Sequence, residues 1–345
     1  MKKIRYASLI VMVGLVGILG TGCGAQSVFG LISDNEAQEE TEAQETIAGD
    51  NQSEEISETL DGTEENVVED ELDTNIQESR MDSEGNVLVN EINFPDECFR
   101  SYIQKFVDTN GDDKLTTDEI DAVELIFVHG GKSKNYNDLE SLEGIEYFTN
   151  LKELQCYDTQ LKTIDCSELK KLETLEIQNT GITELDISKN TQLKNLDCYN
   201  TRIKELDISN NIEIEVLNVH DTDISELDVS MLPNLRELLC SGTRIEDIDV
   251  SKNGELQSLD VSGTSVSEVD VSNNTKLMGI YCINCSGIND IDITNNKKLQ
   301  EVRIEGTKIP KMDLSECDEI YYVSCDQDTV IEGVDNSIIN RGNDS

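Results

Sequence analysis

Residues 193–213 read LKNLDCYNTRIKELDISNNIE, and residues 214–234 read IEVLNVHDTDISELDVSMLPN. The two stretches have the same length and keep apolar residues in the same places. Leu193, Leu196, Cys198, Ile203, Leu206 and Ile208 match Ile214, Leu217, Val219, Ile224, Leu227 and Val229. Working outward, the chain restarts every 21 residues at Leu151, Leu172, Leu193, Ile214, Leu235, Leu256 and Leu277, then one residue late at Leu299, and again at Ile320. Position four is Leu154, Leu175, Leu196, Leu217, Leu238, Leu259, Ile280 and Val302; position six alternates between Cys and a branched residue, from Cys156 and Ile177 to Cys282 and Ile304.

Eight units in register from 151 to 319 follow L-x-x-L-x-L-x-x-N-x-L, the leucine-rich repeat pattern. Positions four and six face a core from a short strand, so three, five and seven face outward. One unit cannot bury its apolar face alone; stacking units makes a continuous core. The second half of each unit also alternates, as in Leu185-Asp186-Ile187-Ser188 and Leu206-Asp207-Ile208-Ser209, which predicts extended convex segments. The expected fold class is therefore an α/β-type solenoid, mostly β: 21-residue leucine-rich repeats with short parallel strands on the concave face and a small helical N-terminal cap.

These repeats resemble leucine-rich repeat surface proteins of Gram-positive bacteria, including internalin-like proteins, whose units often read Leu-Asp-Val-Ser-x-Asn. The resemblance covers about residues 91–345 and implies a surface protein with a helical cap that is EF-hand-like in shape. It departs at position nine, where the family's usual Asn is Thr159, Thr180, Thr201, Thr222, Thr243 and Thr264.

Ten cysteines, an even count, invite a disulfide reading. The register opposes it. Cys156, Cys198, Cys240, Cys282 and Cys325 share position six in alternate units, roughly 10 Å apart at twice the strand spacing, whereas a disulfide needs alpha carbons within about 7 Å. They read as small core residues. Cys98, Cys166, Cys285 and Cys317 stay open.

The 27 basic and 72 acidic residues leave a net charge of −45, which excludes nucleic acid and anionic membrane surfaces as partners. Lys2, Lys3 and Arg5 precede an apolar run and then Gly20-Thr21-Gly22-Cys23. This reads as a signal peptide over 1–22, and the Cys after small residues resembles a bacterial lipobox, with Cys23 the lipidated residue. A plain secretory signal is the alternative. Residues 23–90 then read as a lipid-anchored, disordered acidic tether: 24–90 hold 20 acidic residues and one basic. The localisation expected is export to the outer face of the cytoplasmic membrane, at the cell surface of a bacterium.

Position fifteen is Asp165, Asp186, Asp207, Asp228, Asp249, Asp270, Asp292 and Asp313, a convex row of carboxylates. Neighbours about 5 Å apart repel by roughly 0.8 kcal/mol in water, which turn N–H donors two or three residues on can offset; weak divalent-ion association is the alternative. With so much of the charge in convex rows, the concave face is less acidic than the total implies and need not prefer a cationic partner.

Residues 91–122 read as a helical, EF-hand-like cap, 123–319 as the solenoid and 320–345 as a C-terminal cap. Phe99, Ile103, Phe106 and Val107 have helical spacing. Asp108, Asn110, Asp112, Lys114 (through its carbonyl), Thr116 and Glu119 then stand where an EF-hand loop ligates calcium, with Asp113 in place of the usual Gly. Calcium is the one candidate cofactor; the resemblance implies the same shape without calcium.

No nucleophile elbow, phosphate loop or catalytic constellation occurs, so the chain is expected to be no enzyme. The concave positions Tyr157, Tyr199, His220, Leu239, Tyr281, Ile283 and Tyr322 are the candidate ligand contacts, for an extracellular protein or glycan. The alternative is a structural surface spacer or coat protein without a dedicated ligand.

Overall fold

The structure, a computed structural model, describes residues 80–131 and 136–342. The signal peptide, Cys23, the tether up to residue 79 and residues 343–345 lie outside the described residues.

The chain runs β1 (Val87–Leu88), α1 (Glu97–Phe106), β2 (Lys114–Leu115), α2 (Thr117–Asp121) and β3 (Leu125–Phe127). One strand per unit follows: β4 (Glu153–Gln155), β5 (Thr174–Glu176), β6 (Asn195–Asp197), β7 (Val216–Asn218), β8 (Glu237–Leu239), β9 (Ser258–Asp260), β10 (Gly279–Tyr281) and β11 (Glu301–Arg303). β12 (Lys311–Asp313), β13 (Tyr322–Cys325), β14 (Val330–Glu332) and β15 (Ile339–Arg341) close it. β3 to β11, β13 and β15 form one parallel sheet of 11 strands in which Leu154 opposes Leu175, then Leu196, Leu217, Leu238 and Leu259. The 21-residue register is thus the leucine-rich repeat solenoid that the pattern predicts. Positions one, four, six and eleven are buried in all regular units.

Two boundaries differ from expectation. The folded cap begins ahead of residue 91, because Val87 and Leu88 pair antiparallel with Leu115 and Lys114, and Val87 and Val89 join the core. Two apolar residues and a strand partner outweigh the acidic composition there. The solenoid also does not stop at 319: β13 and β15 extend the sheet, β14 pairs with β12 on the convex side, and Arg341 ties the end by donating to the carbonyl of Thr329 at 2.7 Å.

Three columns of polar or small residues shape the turns, and one of them ties neighbouring turns together. The Thr at position nine makes no ladder between units; each hydroxyl donates to the position-six carbonyl of its own turn, as Thr201 does to Cys198 at 2.7 Å. The ladder lies at position nineteen, where buried Asn190, Asn211, Asn253, Asn274 and Asn296 each donate Nδ2 to two carbonyls of the preceding turn. Position eight is left-handed in every regular unit, with φ between 50° and 69°, and is always Asp, Asn or Gly: Asp158, Asn179, Asn200, Asp221, Gly242, Gly263, Asn284 and Gly306. Those are the residue types that tolerate this backbone.

On the convex side each position-fifteen Asp accepts the N–H two residues on, at 2.9–3.0 Å. These turns lower the carboxyls below the usual range, chiefly through that N–H at Asp165, Asp186, Asp292 and Asp313 and through the neighbouring hydroxyl at Asp207, Asp228, Asp249 and Asp270. The column cysteines are buried, and the described cysteines are all free thiols.

Candidate functional site

The concave sheet presents positions three, five and seven of every turn, and Tyr157, Tyr199, His220, Leu239, Tyr281, Ile283 and Tyr322 all stand half-buried on it. The structure gathers most of them into separate groups. At the N-terminal end Tyr157 stacks on His129, with ring centroids 4.7 Å apart and planes at 21°, and His129 contacts Phe127 at 4.2 Å. Phe127 and its neighbour Leu125 are exposed. They escaped the sequence reading because the opening turn is longer than the rest: Ile126 opposes Leu154, 28 residues later. The signal was the short apolar run around Ile126, out of phase with the repeat.

Tyr199 lies 6.2 Å from His220, whose Nε2 is 3.0 Å from Asp221 and whose Nδ1 meets the Ser241 hydroxyl. Leu239 stands apart from the rings, on β8 between Asn218 and Asp260. At the C-terminal end the Arg303 guanidinium sits 5.7 Å from the Tyr281 ring and 5.1 Å from the Tyr322 ring. Glu301 fixes this group by accepting from Arg303 Nε at 2.6 Å, Tyr281 OH at 3.0 Å and Tyr321 OH at 3.3 Å. Burial, followed by the Glu301 carboxylate, pushes the Tyr281 hydroxyl far up. Gly279 makes room: a Cβ there would meet the Tyr281 hydroxyl at 2.8 Å.

Between the two ring clusters the concave floor is acidic, with Glu153, Glu176 and Asp197 on consecutive strands. Burial, then the charges of Asp197 and Glu153, raises the Glu176 carboxyl to about 7; burial raises Asp197 to about 6. Along the rim, position two alternates in sign, pairing Lys152 with Glu124, Lys194 with Glu173 and Arg236 with Glu215.

The EF-hand-like loop is a folding device. Asp108, buried, accepts the N–H groups of Gly111, Asp112 and Asp113. Asn110 and Asp112 accept from the N–H groups of Asp112 and Lys114. Thr116 caps α2, and both Glu119 oxygens accept from Thr109 and Thr116. Among the described residues no three His, Cys, Asp or Glu groups gather as a metal set. In the structure these oxygens accept the loop's own N–H and hydroxyl donors, which hold the loop in its turn. Asp113 does take the left-handed backbone expected of it, with φ 58°. Phe106, one of the residues at helical spacing, is the last residue of α1 and is 52 % exposed, against Lys105 and Tyr102.

Solved structures with this architecture include the functional domain of InlJ from Listeria monocytogenes, described as including a cysteine ladder: 20% identity, TM-score 0.51, covering 72% of this chain and 63% of that one. An internalin C2 from Listeria monocytogenes matches at 19% identity and TM-score 0.53, over 70% of this chain and 97% of that one. The fold is a leucine-rich repeat solenoid. The likeness extends to that architecture, and the chain spans less than two thirds of the InlJ domain. No family model and no curated protein matches the chain.

Proposed function

We propose that this leucine-rich repeat protein is a lipid-anchored protein of the bacterial cell surface that recognises an extracellular protein or glycan through its concave face, without catalysis. The observation that carries the reading is the pair of preassembled ring clusters, Phe127–His129–Tyr157 and Tyr281–Arg303–Tyr322, half-exposed at the two ends of one sheet. Aromatic and Arg side chains already held in place lose little entropy on binding and are the usual anchors of an interface. Lys2, Lys3, Arg5, the apolar run and Cys23 support export and lipidation.

The test immobilises the chain carrying Cys23→Ser and measures capture of surface proteins and glycans, then repeats it with Phe127→Ala plus Tyr157→Ala and with Tyr281→Ala plus Tyr322→Ala. Recognition predicts a loss of about tenfold or more in at least one pair. Capture unchanged in both pairs favours the spacer reading. In the native cell, Cys23→Ser is expected to release the protein from the membrane fraction.

A further inference from the structure

Three kinds of carboxylate line this solenoid, and one kind lacks a counterpart. The convex Asp residues are satisfied by their own turns. The rim Glu residues pair with Lys or Arg. On the concave floor Glu153 and Glu176 receive the Gln155 amide at 2.6 and 3.3 Å, and Asp197 the Tyr199 N–H at 3.2 Å and the Asn218 amide. Among the described residues, none of these three has a Lys or Arg within 4.0 Å.

A second observation points the same way. Gln178 follows Glu176 on the same face and is 9% exposed. Its amide donates to Glu176, and its Oε1 is buried with no donor. The carboxylates of the β4 to β6 floor are thus met only by amide and N–H donors, with no cation beside them, and Gln178 Oε1 is left without any donor, which is costly in a buried place. The position-seven column puts Tyr157 and Tyr199 on the turns either side of Gln178, just past the strands. A donor-only cationic group between aromatic faces is what such a floor accepts.

We infer that the concave floor of β4 to β6 is a receptor for a lysine or arginine side chain of a partner protein, held by Glu176, Asp197 and Gln178 and flanked by Tyr157 and Tyr199. This rests on the concave-recognition reading and narrows it from protein or glycan to a protein segment presenting a basic residue. The chain's own segment 24–79 is acidic throughout, and a second copy carries the same sign, so neither complements the floor. The residue count left a cationic preference open, because it shows how many charges face the concave side but not that these are half-buried and without a Lys or Arg beside them.

A bound cation favours the ionised carboxylates, so affinity falls as Glu176 takes up its proton. Glu153, Gln155 and Tyr157 face it from the β4 side and Asp197 and Tyr199 from the β6 side, with His220 beyond.

The experiment uses the chain with Cys23→Ser and a dye-labelled tetralysine peptide, with its fully acetylated twin as control, read by anisotropy at physiological salt. Tetralysine is expected to bind more tightly than its twin. Glu176→Gln with Asp197→Asn is expected to weaken it about tenfold. Asp207→Asn with Asp228→Asn, which removes the same charge from the convex turns, is expected to change it less than about twofold. In the parent, binding weakens from pH 8 to pH 5.5, and Glu176→Gln alone removes most of that dependence. Equal losses in the two double variants, no preference over the acetylated twin, or a pH dependence unchanged in Glu176→Gln overturns the assignment. A partner captured through the Tyr281 cluster alongside any of those results leaves concave recognition standing and removes only the cation receptor.

Discussion

Asn211 spends its side-chain amide on the carbonyls of Ile187 and Asn190 and leaves its own Oδ1 buried without a donor. Those carbonyls already accept backbone N–H groups, from Asn190 and Leu193, and Leu232 fills the same position two strands' spacing from Asn190 with no amide at all. Asn211→Leu is therefore expected to cost only about 1 kcal/mol. Asn211→Asp puts a charge against two carbonyls in a buried site and is expected to cost about 3 kcal/mol or more at neutral pH; urea denaturation separates the two. Glu176 gives the opposite sign. Its folded carboxyl titrates near 7 against a usual 4.5, so between those values the folded state holds more protons than the unfolded state, and stability falls as pH rises through that window. The midpoint of thermal melting is expected to rise by a few degrees from pH 8 to pH 5, and Glu176→Gln is expected to flatten that limb. Below the usual Asp range the convex carboxyls, held low in the fold, reverse the slope and stability is lost with further acid.

The N-terminal cap shows how an element can keep a loop's spacing while using it for another purpose. Asp96 caps α1 by accepting from Phe99 at 3.0 Å and also accepts from Glu140 at 2.9 Å and Ser141 at 3.2 Å. Phe94, Phe99 and Phe148 pack as a plug over the first turn. Burial pulls the Glu119 carboxyl up, but four hydrogen bonds from Thr109 and Thr116 hold it at about 2. Glu119→Ala, which removes half of the capping box, is expected to cost about 1–2 kcal/mol. If the loop is held by its own donors alone, millimolar calcium and a chelator leave the melting midpoint within about 1 °C, because a ligand that stabilises must bind the folded state; a clear upward shift with calcium assigns the loop's oxygens to the cation. The oxygen spacing of this loop was legible in the residues from Asp108 to Glu119. Which partner each oxygen takes was not, since N–H groups and a cation compete for the same lone pairs and only geometry decides.

At the scale of the molecule, the 21-residue period was legible because burial forces the same positions to be apolar in every turn, and the strand residues followed from it. The exposed Leu125 and Phe127 of the irregular opening turn were not, because its longer loop moves them out of phase, nor was the Asn ladder, whose amides bond backbone and leave no pairwise signature. A longer period lies on top of the first. Position six alternates Ile177, Cys198, Val219, Cys240, large against small, and position two alternates Glu173, Lys194, Glu215, Arg236. Both repeat every two units, so the packing module of this stretch is 42 residues, not 21. Deleting 193–213 brings Ile177 against Val219 in the core and Glu173 against Glu215 on the rim, combining overpacking with like-charge repulsion. Deleting 193–234 brings Ile177 against Cys240 and Glu173 against Arg236, which restores both alternations. In a nearest-neighbour solenoid the longer deletion loses more interfaces and should be the weaker protein. The two-unit period predicts the reverse: the chain lacking 42 residues should unfold at higher urea than the chain lacking 21, with the gap narrowing in high salt as the rim repulsion is screened. An order that follows chain length alone would return the module to a single turn.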